Sequence, residues 1–347
     1  MNRQVIEKAF NTATDSPQIH EAILFVETTK GDFSESMGYG GRDIHSFMVM
    51  ASITKMFTTA CVLKLCDQNR LSLEDKISRY LDNNLLNGLH VFKGREYSQE
   101  LTVSDLLFQT SGLPDSFESG KQSSSKMMKI ILEGDSELSF EHSLNEIKTL
   151  APRFAPNTGN KAFYANMNFD LLGEILEKVM ELPIDKIFKR LVFEPLGLGK
   201  TYLPVSENNF VPHIFYKSQK IKRPKLIASC RASGGCITTA KELMAFSKGF
   251  WSGALFDKKI FPRLAVYRKI QANKGPIWYG GGYMRIPLGG LMTMFMGKGE
   301  LVGHSGSTGS FAFYYPLKDL HIVGDLNQLS NPALPIRLLM KLAMFAK

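Results

Sequence analysis

Ser52 and Lys55 stand three residues apart in Ser52-Ile53-Thr54-Lys55. On a helix that spacing puts both side chains on one face, with Cβ atoms about 5–6 Å apart. A serine in the first helical turn sits among unpaired backbone N–H groups at the positive end of the helix dipole, so its own N–H can donate to an oxyanion. The same positive end, with partial removal from water, disfavours a protonated lysine one turn further on. A neutral lysine beside a serine hydroxyl is a general base, and the pair reads as nucleophilic catalysis through an acyl-enzyme.

The pattern is short, and Ser123-Ser124-Ser125-Lys126 matches it too. That second copy reads as part of a polar, exposed loop with no apolar helix behind it. Two other motifs single out Ser52. Tyr164-Ala165-Asn166 is the one Y-x-N of the chain and directly precedes a helical pattern. A tyrosine phenol relays protons when nearby cations lower its pKa, and an asparagine amide can hold a lysine and donate to a substrate carbonyl. His304-Ser305-Gly306 is the one H-x-G, followed by Ser307-Thr308-Gly309 and read as lying between two strand patterns. A strand edge there can offer its backbone to an extended substrate, Gly306 allows close approach, and the Ser307 N–H can be a second oxyanion donor.

The elements that must position these groups follow from periodicity. Residues 3–13 read as a helix, Ala22 to Val26 as a buried strand, and a second strand runs towards Gly41. From Ser52 the apolar spacing turns helical. Residues 67–223 are mainly helical with loops, Val103 to Leu107 and Leu171 to Met180 being the clearer helices, and another runs through Leu243 to Phe246. Gly281 to Ile286, Leu291 to Met296, Ser310 to Tyr315 and Leu320 to Gly324 read as strands separated by turns such as Gly289-Gly290. An amphipathic helix over Leu334 to Phe345 covers one face. The expected fold is α/β (α+β): an antiparallel sheet flanked by N- and C-terminal helices. Residues 1–66 and 224–347 form one domain, 67–223 an inserted mainly helical one, with the site at their interface.

With 347 residues, 44% of them hydrophobic and 22% charged, the chain can bury a sizeable core. Its net charge of +9 is dispersed and no nucleic-acid motif accompanies it, so the basic balance reads as solvated surface. Cys61, Cys66, Cys230 and Cys236 read as free thiols, and no Cys/His group has zinc spacing. No apolar run is long enough to span a membrane. The N-terminus has no signal-peptide h-region, which predicts a cytoplasmic protein, or an extracytoplasmic one if a leader precedes this sequence.

Taken in order, S-x-x-K, Y-x-N and H-x-G resemble the serine β-lactamase and penicillin-binding superfamily, in the form of its class C β-lactamase branch, D-Ala-D-Ala carboxypeptidases and family VIII esterases. Further stretches are similar to that family: Arg70-Leu71-Ser72-Leu73-Glu74-Asp75-Lys76-Ile77 with Tyr80-Leu81, the run from Asp105 to Pro114, Glu194-Pro195-Leu196-Gly197-Leu198, and Gly234-Gly235 with Thr238-Thr239-Ala240. The resemblance covers residues 20 to 325. It implies a β-lactamase/transpeptidase-like fold, Ser52 as nucleophile, and Lys55 with Tyr164 as the proton-transfer pair. It also implies Asn166 for positioning, His304 in the proton network, the Ser52 and Ser307 N–H groups as oxyanion donors, and no metal or cofactor. Gln109 stands where the family often has histidine, and Ala165 where it often has serine. His304 replaces the lysine of efficient β-lactamases, which argues against strong β-lactamase activity. The implied activity is D-Ala-D-Ala carboxypeptidase-like on D-amino-acid peptides or amides. The alternatives are a carboxylesterase, a weak β-lactamase, or a non-catalytic penicillin-binding sensor or scaffold. An α/β-hydrolase is set aside because no serine has the G-x-S-x-G flanks.

Overall fold

The computed structural model describes residues 2–115, 123–156, 158–289 and 297–345. The chain opens with helix α1 (Arg3–Thr14), whose N-terminus is capped by Asn2 accepting from the Gln4 N–H. Strands β1 (Ala22–Thr28) and β2 (Ser34–Tyr39) form a hairpin, and the short β3 (Phe47–Val49) leads into the segment that carries Ser52. Ser52 lies in a 3-10 turn, Ala51–Ile53, and the α-helix proper, α2, begins one residue later (Thr54–Asp67). Every α2 residue from Thr54 to Leu63 is buried, so this helix runs through the interior instead of lining a surface.

Helices α3 (Val103–Leu107), α4 (Ser123–Glu133), α5 (Phe140–Lys148) and α6 (Asn166–Met180) follow. The second S-x-x-K therefore starts a helix, in contrast to the loop expected for it, while residues 116–122 of that stretch lie outside the described ones. Strand β4 (Ile237–Thr239) pairs with β3, and α7 (Ala240–Ser252) leaves it directly, capped by Thr239. Strands β5 (Arg268–Lys269), β6 (Trp278–Tyr279), β7 (Met284–Pro287), β8 (Glu300–Ser305), β9 (Ser310–Tyr315) and β10 (Leu320–Asp325) precede the terminal helix α8 (Leu334–Phe345).

The principal sheet has eight antiparallel strands in the order β2-β1-β10-β9-β8-β7-β6-β5. Strands from the two ends of the chain meet at its centre, with Phe25 opposite Val323 and Val323 opposite Ala312. Helix α7 packs on β1, β9 and β10, while α8 packs on α1, β8 and β9. With both faces covered, the central strands are apolar almost without alternation, as Ala22 to Val26 already indicated.

One expected strand, Leu291 to Met296, falls outside the described residues. Another was not foreseen. β8 contains His304 and Ser305, so the histidine sits in a strand and not between two of them. Only Leu301 and Val302 give β8 an apolar signal, and Gly303 interrupts it. Gly303 is required there because a Cβ would lie 2.0 Å from the Ala312 carbonyl oxygen.

Phe57 of α2 joins the helical elements to the sheet. Its ring lies 4.3 Å from Phe246 of α7, 5.5 Å from Phe193 and 6.0 Å from Phe188, all edge-on. Replacing it by alanine should cost about 3–5 kcal/mol, read as a lower urea midpoint with an unchanged slope.

Candidate active site

The backbone that presents Ser52 is held from two sides. Ala51 takes a left-handed conformation with φ of 46°, a strain of about 1–2 kcal/mol that surrounding contacts must offset. On one side the Met50 N–H donates to the Cys236 carbonyl at 2.9 Å, and the Cys236 N–H donates to Thr54 Oγ1 at 3.1 Å. On the other, Thr308 and Ser310 donate their hydroxyls to the carbonyls of Val49 (3.1 Å) and Met50 (2.9 Å). The turn that follows His304 is thereby fastened to the shoulder of the nucleophile segment. Gly306 lies in that contact, where a Cβ would come within 2.5 Å of the Met50 carbonyl and 3.0 Å of Ala51 Cβ. Ser307 is exposed in the same turn. Among the described residues neither its N–H nor that of Ser52 donates one of the backbone hydrogen bonds of the turns and loops.

Lys55 is fully buried. Its Nζ donates to Asn166 Oδ1 at 2.7 Å and to the Ser233 carbonyl at 2.6 Å, and lies 3.3 Å from Ser52 Oγ. The first two atoms can only accept. A neutral amine spends its two N–H bonds on them and turns its lone pair towards Ser52. Burial lowers the Lys55 pKa to about 8, opposed by the carboxylates of Asp170 and Asp115 and helped by the Lys274 charge.

Tyr164 is buried beside this group, its ring centroid 5.1 Å from Lys55 Nζ and 5.4 Å from Lys274 Nζ. Its backbone is clamped by Gln271, whose side chain accepts from the Tyr164 N–H at 2.8 Å and donates to its carbonyl at 2.9 Å. Helix α6 starts at Asn166 without a capping side chain of its own. Instead Asp115 accepts the Asn166 N–H, and Gln109 Oε1 accepts from the Ala165 N–H at 2.9 Å and from the Asn168 amide. The residue that stands in place of a histidine thus ties the middle of the Y-x-N segment to the first turn of α6 through one amide oxygen.

His304 is buried, and its ring lies 6.1 Å from that of Tyr164. Nδ1 faces the Ser305 carbonyl at 2.9 Å, so that nitrogen carries the proton. Nε2 then accepts from the Tyr279 hydroxyl at 3.4 Å. Burial, with the Lys55 and Lys274 charges, pushes the His304 pKa down to about 3. The imidazole is a neutral spacer and cannot supply the cation that a lysine would place there. Burial also raises the Tyr279 pKa, which keeps that hydroxyl a donor.

The structure therefore brings Ser52, Lys55 and Asn166 into direct contact, sets Tyr164 against the lysine, and places His304, Gly306 and Ser307 along the adjoining strand and turn. Asp115, Ser233, Gln271 and Tyr279 escaped the sequence reading. Asp170 had a signal that could have found it, since it follows Asn166 by four residues on α6. Among the described residues no group of three His, Cys, Asp or Glu could hold a metal, and no helix is long and apolar enough to cross a membrane. The His304 ring should keep a single neutral tautomer, protonated at Nδ1, from pH 8 down to pH 5. ¹⁵N-detected imidazole spectra compared with His304→Gln test this, and a signal that titrates near the ordinary histidine value would contradict it.

Comparison with known proteins gives the family and the fold. Protein flp of Staphylococcus aureus is 28% identical over 190 residues, which is 52% of this chain and 34% of that protein. The chain thus spans about a third of the length of this curated relative. A D-stereospecific amidohydrolase from Streptomyces superimposes with a TM-score of 0.78 at 21% identity, over 95% of each chain. D-amino acid amidase from Ochrobactrum anthropi does so with 0.75 at 16% identity, over 98% of each. The fold is that of the β-lactamase/transpeptidase-like enzymes. The model of the beta-lactamase family matches residues 38–341, a span that takes in all the site residues above, and the chain belongs to that family.

Proposed function

We propose that the protein is a serine hydrolase in which Ser52 forms an acyl-enzyme, acting on D-amino-acid peptides or amides with a D-Ala-D-Ala carboxypeptidase-like specificity. The observation that carries the reading is the environment of Lys55: two fixed acceptors hold its N–H bonds and leave its lone pair for Ser52 Oγ. A scaffold has no need of a buried, partly deprotonated lysine against a serine.

Lys55, with Tyr164 beside it, takes the Ser52 proton as Oγ attacks the carbonyl carbon, and the carbonyl oxygen becomes an oxyanion between the Ser52 and Ser307 N–H groups. The tetrahedral centre collapses as the leaving amine receives that proton through Tyr164. Water then attacks the ester, its proton returning by the same groups, and Ser52 is released. Asn166 holds Lys55 in line and can offer its amide N–H to the substrate. The site lies where residues 1–66 and 224–347 meet the inserted segment 67–223, the domain division we adopt. The Streptomyces neighbour is a D-stereospecific amidohydrolase and the Ochrobactrum one a D-amino acid amidase, so D-specificity is the first specificity to examine here.

A fluorescent fluorophosphonate should label the wild type and leave Ser52→Ala unlabelled. The variant should also lose at least about 10³-fold in kcat/KM on whichever D-Ala-D-Ala peptide, D-amino-acid amide, p-nitrophenyl ester or nitrocefin the wild type hydrolyses. Labelling that persists in Ser52→Ala would remove the nucleophile assignment. Because Lys55 must be neutral to act, the labelling rate should climb with pH and level off above about 8.

A further inference from the structure

The backbone N–H groups of Tyr164, Ala165 and Asn166 all donate to side chains: to Gln271 at 2.8 Å, to Gln109 at 2.9 Å and to Asp115. Gln109 and Asp115 are buried and come from the run that follows α3. They fix the two residues that open α6. Tyr164 itself is held by Gln271, whose amide also donates to the Tyr164 carbonyl at 2.9 Å. One side chain thus engages both backbone groups of the tyrosine, as a paired antiparallel strand would.

Gln271 belongs to the connection between β5 and β6, at the outer edge of the principal sheet. The Lys274 N–H donates to the Gln271 carbonyl at 2.9 Å, and Gly275, with φ of 67°, closes the turn, so Gln271 and Lys274 are carried as one piece. Lys274 Nζ lies 5.4 Å from the Tyr164 ring centroid, and the ring of Tyr279 on β6 packs edge-on against the same ring at 5.7 Å. A single edge hairpin therefore meets Tyr164 at its backbone and at its ring. Ile270 and Ile277, both buried, anchor the two ends of the connection, while Gln271 is only half-buried.

The need for Tyr164 depends on the leaving group. When an amide C–N bond breaks, its electron pair passes to nitrogen, and the amine departs only as that nitrogen gains the proton taken from Ser52. A p-nitrophenyl ester expels a stable phenolate that carries the electron pair away and needs no proton at departure. We infer that the turn Gln271–Lys274 decides whether the site cleaves amides. Gln271 is the positioning residue that keeps the Tyr164 hydroxyl within reach of the leaving nitrogen, and without it the site retains activated esters and loses amides.

The inference rests on the Ser52 acyl-enzyme and on Tyr164 as the proton carrier. Failure of the nucleophile assignment shows as labelling that persists in Ser52→Ala, whereas the present inference is read from the ratio of amide to ester rates. Gln271→Met keeps the length of the side chain and removes both hydrogen bonds. On an amide and a p-nitrophenyl ester of the same D-amino-acyl group, it should lower kcat/KM for the amide at least about 30-fold and leave the ester within about 3-fold. Fluorophosphonate labelling, in which fluoride leaves without a proton, should follow the ester. Hydrogen exchange read by mass spectrometry should be faster in the variant over residues 163–167. Equal losses on amide and ester, an unchanged amide rate, unchanged exchange, or a wild type that cleaves esters and none of the matching amides would each overturn the proposal. Should Gln271→Met melt early, Gln271→Ala must give the same split between amide and ester for the proposal to stand.

Discussion

A buried amine held by two fixed acceptors and facing a serine hydroxyl governs this molecule. Taking an ammonium out of water costs several kcal/mol unless the surroundings supply hydrogen bonds and charge in return. The chain meets that cost only in part. Asn166 and the Ser233 carbonyl accept from Lys55, and two carboxylates stand further off. Burial outweighs that return and lowers the Lys55 pKa to about 8. A third fixed acceptor would hold it charged, and a fully apolar pocket would leave no geometry to aim its lone pair. Much of the fold serves this compromise: α2 runs through the interior to deliver Lys55, α6 begins where Asn166 can reach it, and the turn at Ser233 backs it.

The neighbouring aromatic and imidazole groups extend the same logic. His304 is kept neutral by burial and by the two cations it faces, and its tautomer is set by the Ser305 carbonyl. A second positive charge at that position would drive the Lys55 pKa lower still. The uncharged ring leaves the Lys55 pKa near 8, while Gln109, Gln271 and Asp115 hold the Tyr164 segment through its backbone.

What could be read from the sequence depended on whether a side chain's type carried its role. Ser52, Lys55, Tyr164 and Asn166 were legible because serine, lysine, tyrosine and asparagine at those spacings suggest chemistry, and Y-x-N and H-x-G each occur once. The strand at Ser310–Tyr315 and the helix at Leu334–Phe345 were legible from apolar periodicity alone. The Ser233 carbonyl was not, since any residue offers one. Strand β8 was hidden by Gly303, a residue chosen for close approach and not for β propensity. Asp115 and Gln109 act across long sequence separations, which spacing cannot show, and the second S-x-x-K looked like a loop because its serines mask a helix start.

The fastening of Ser52's backbone by Thr308 and Ser310 has a temporal meaning as well. Those bonds join residues 259 and 260 positions apart, and β1 completes its sheet only against β10. Contacts of such long range form late in folding, after the loop-closure entropy of most of the chain has been overcome. During synthesis the serine, the lysine and the tyrosine all emerge before the segment that locks the serine's shoulder exists. A nascent or prematurely ended chain therefore carries those groups without their alignment, and the proposed nucleophile is held in place only once the last strands have docked.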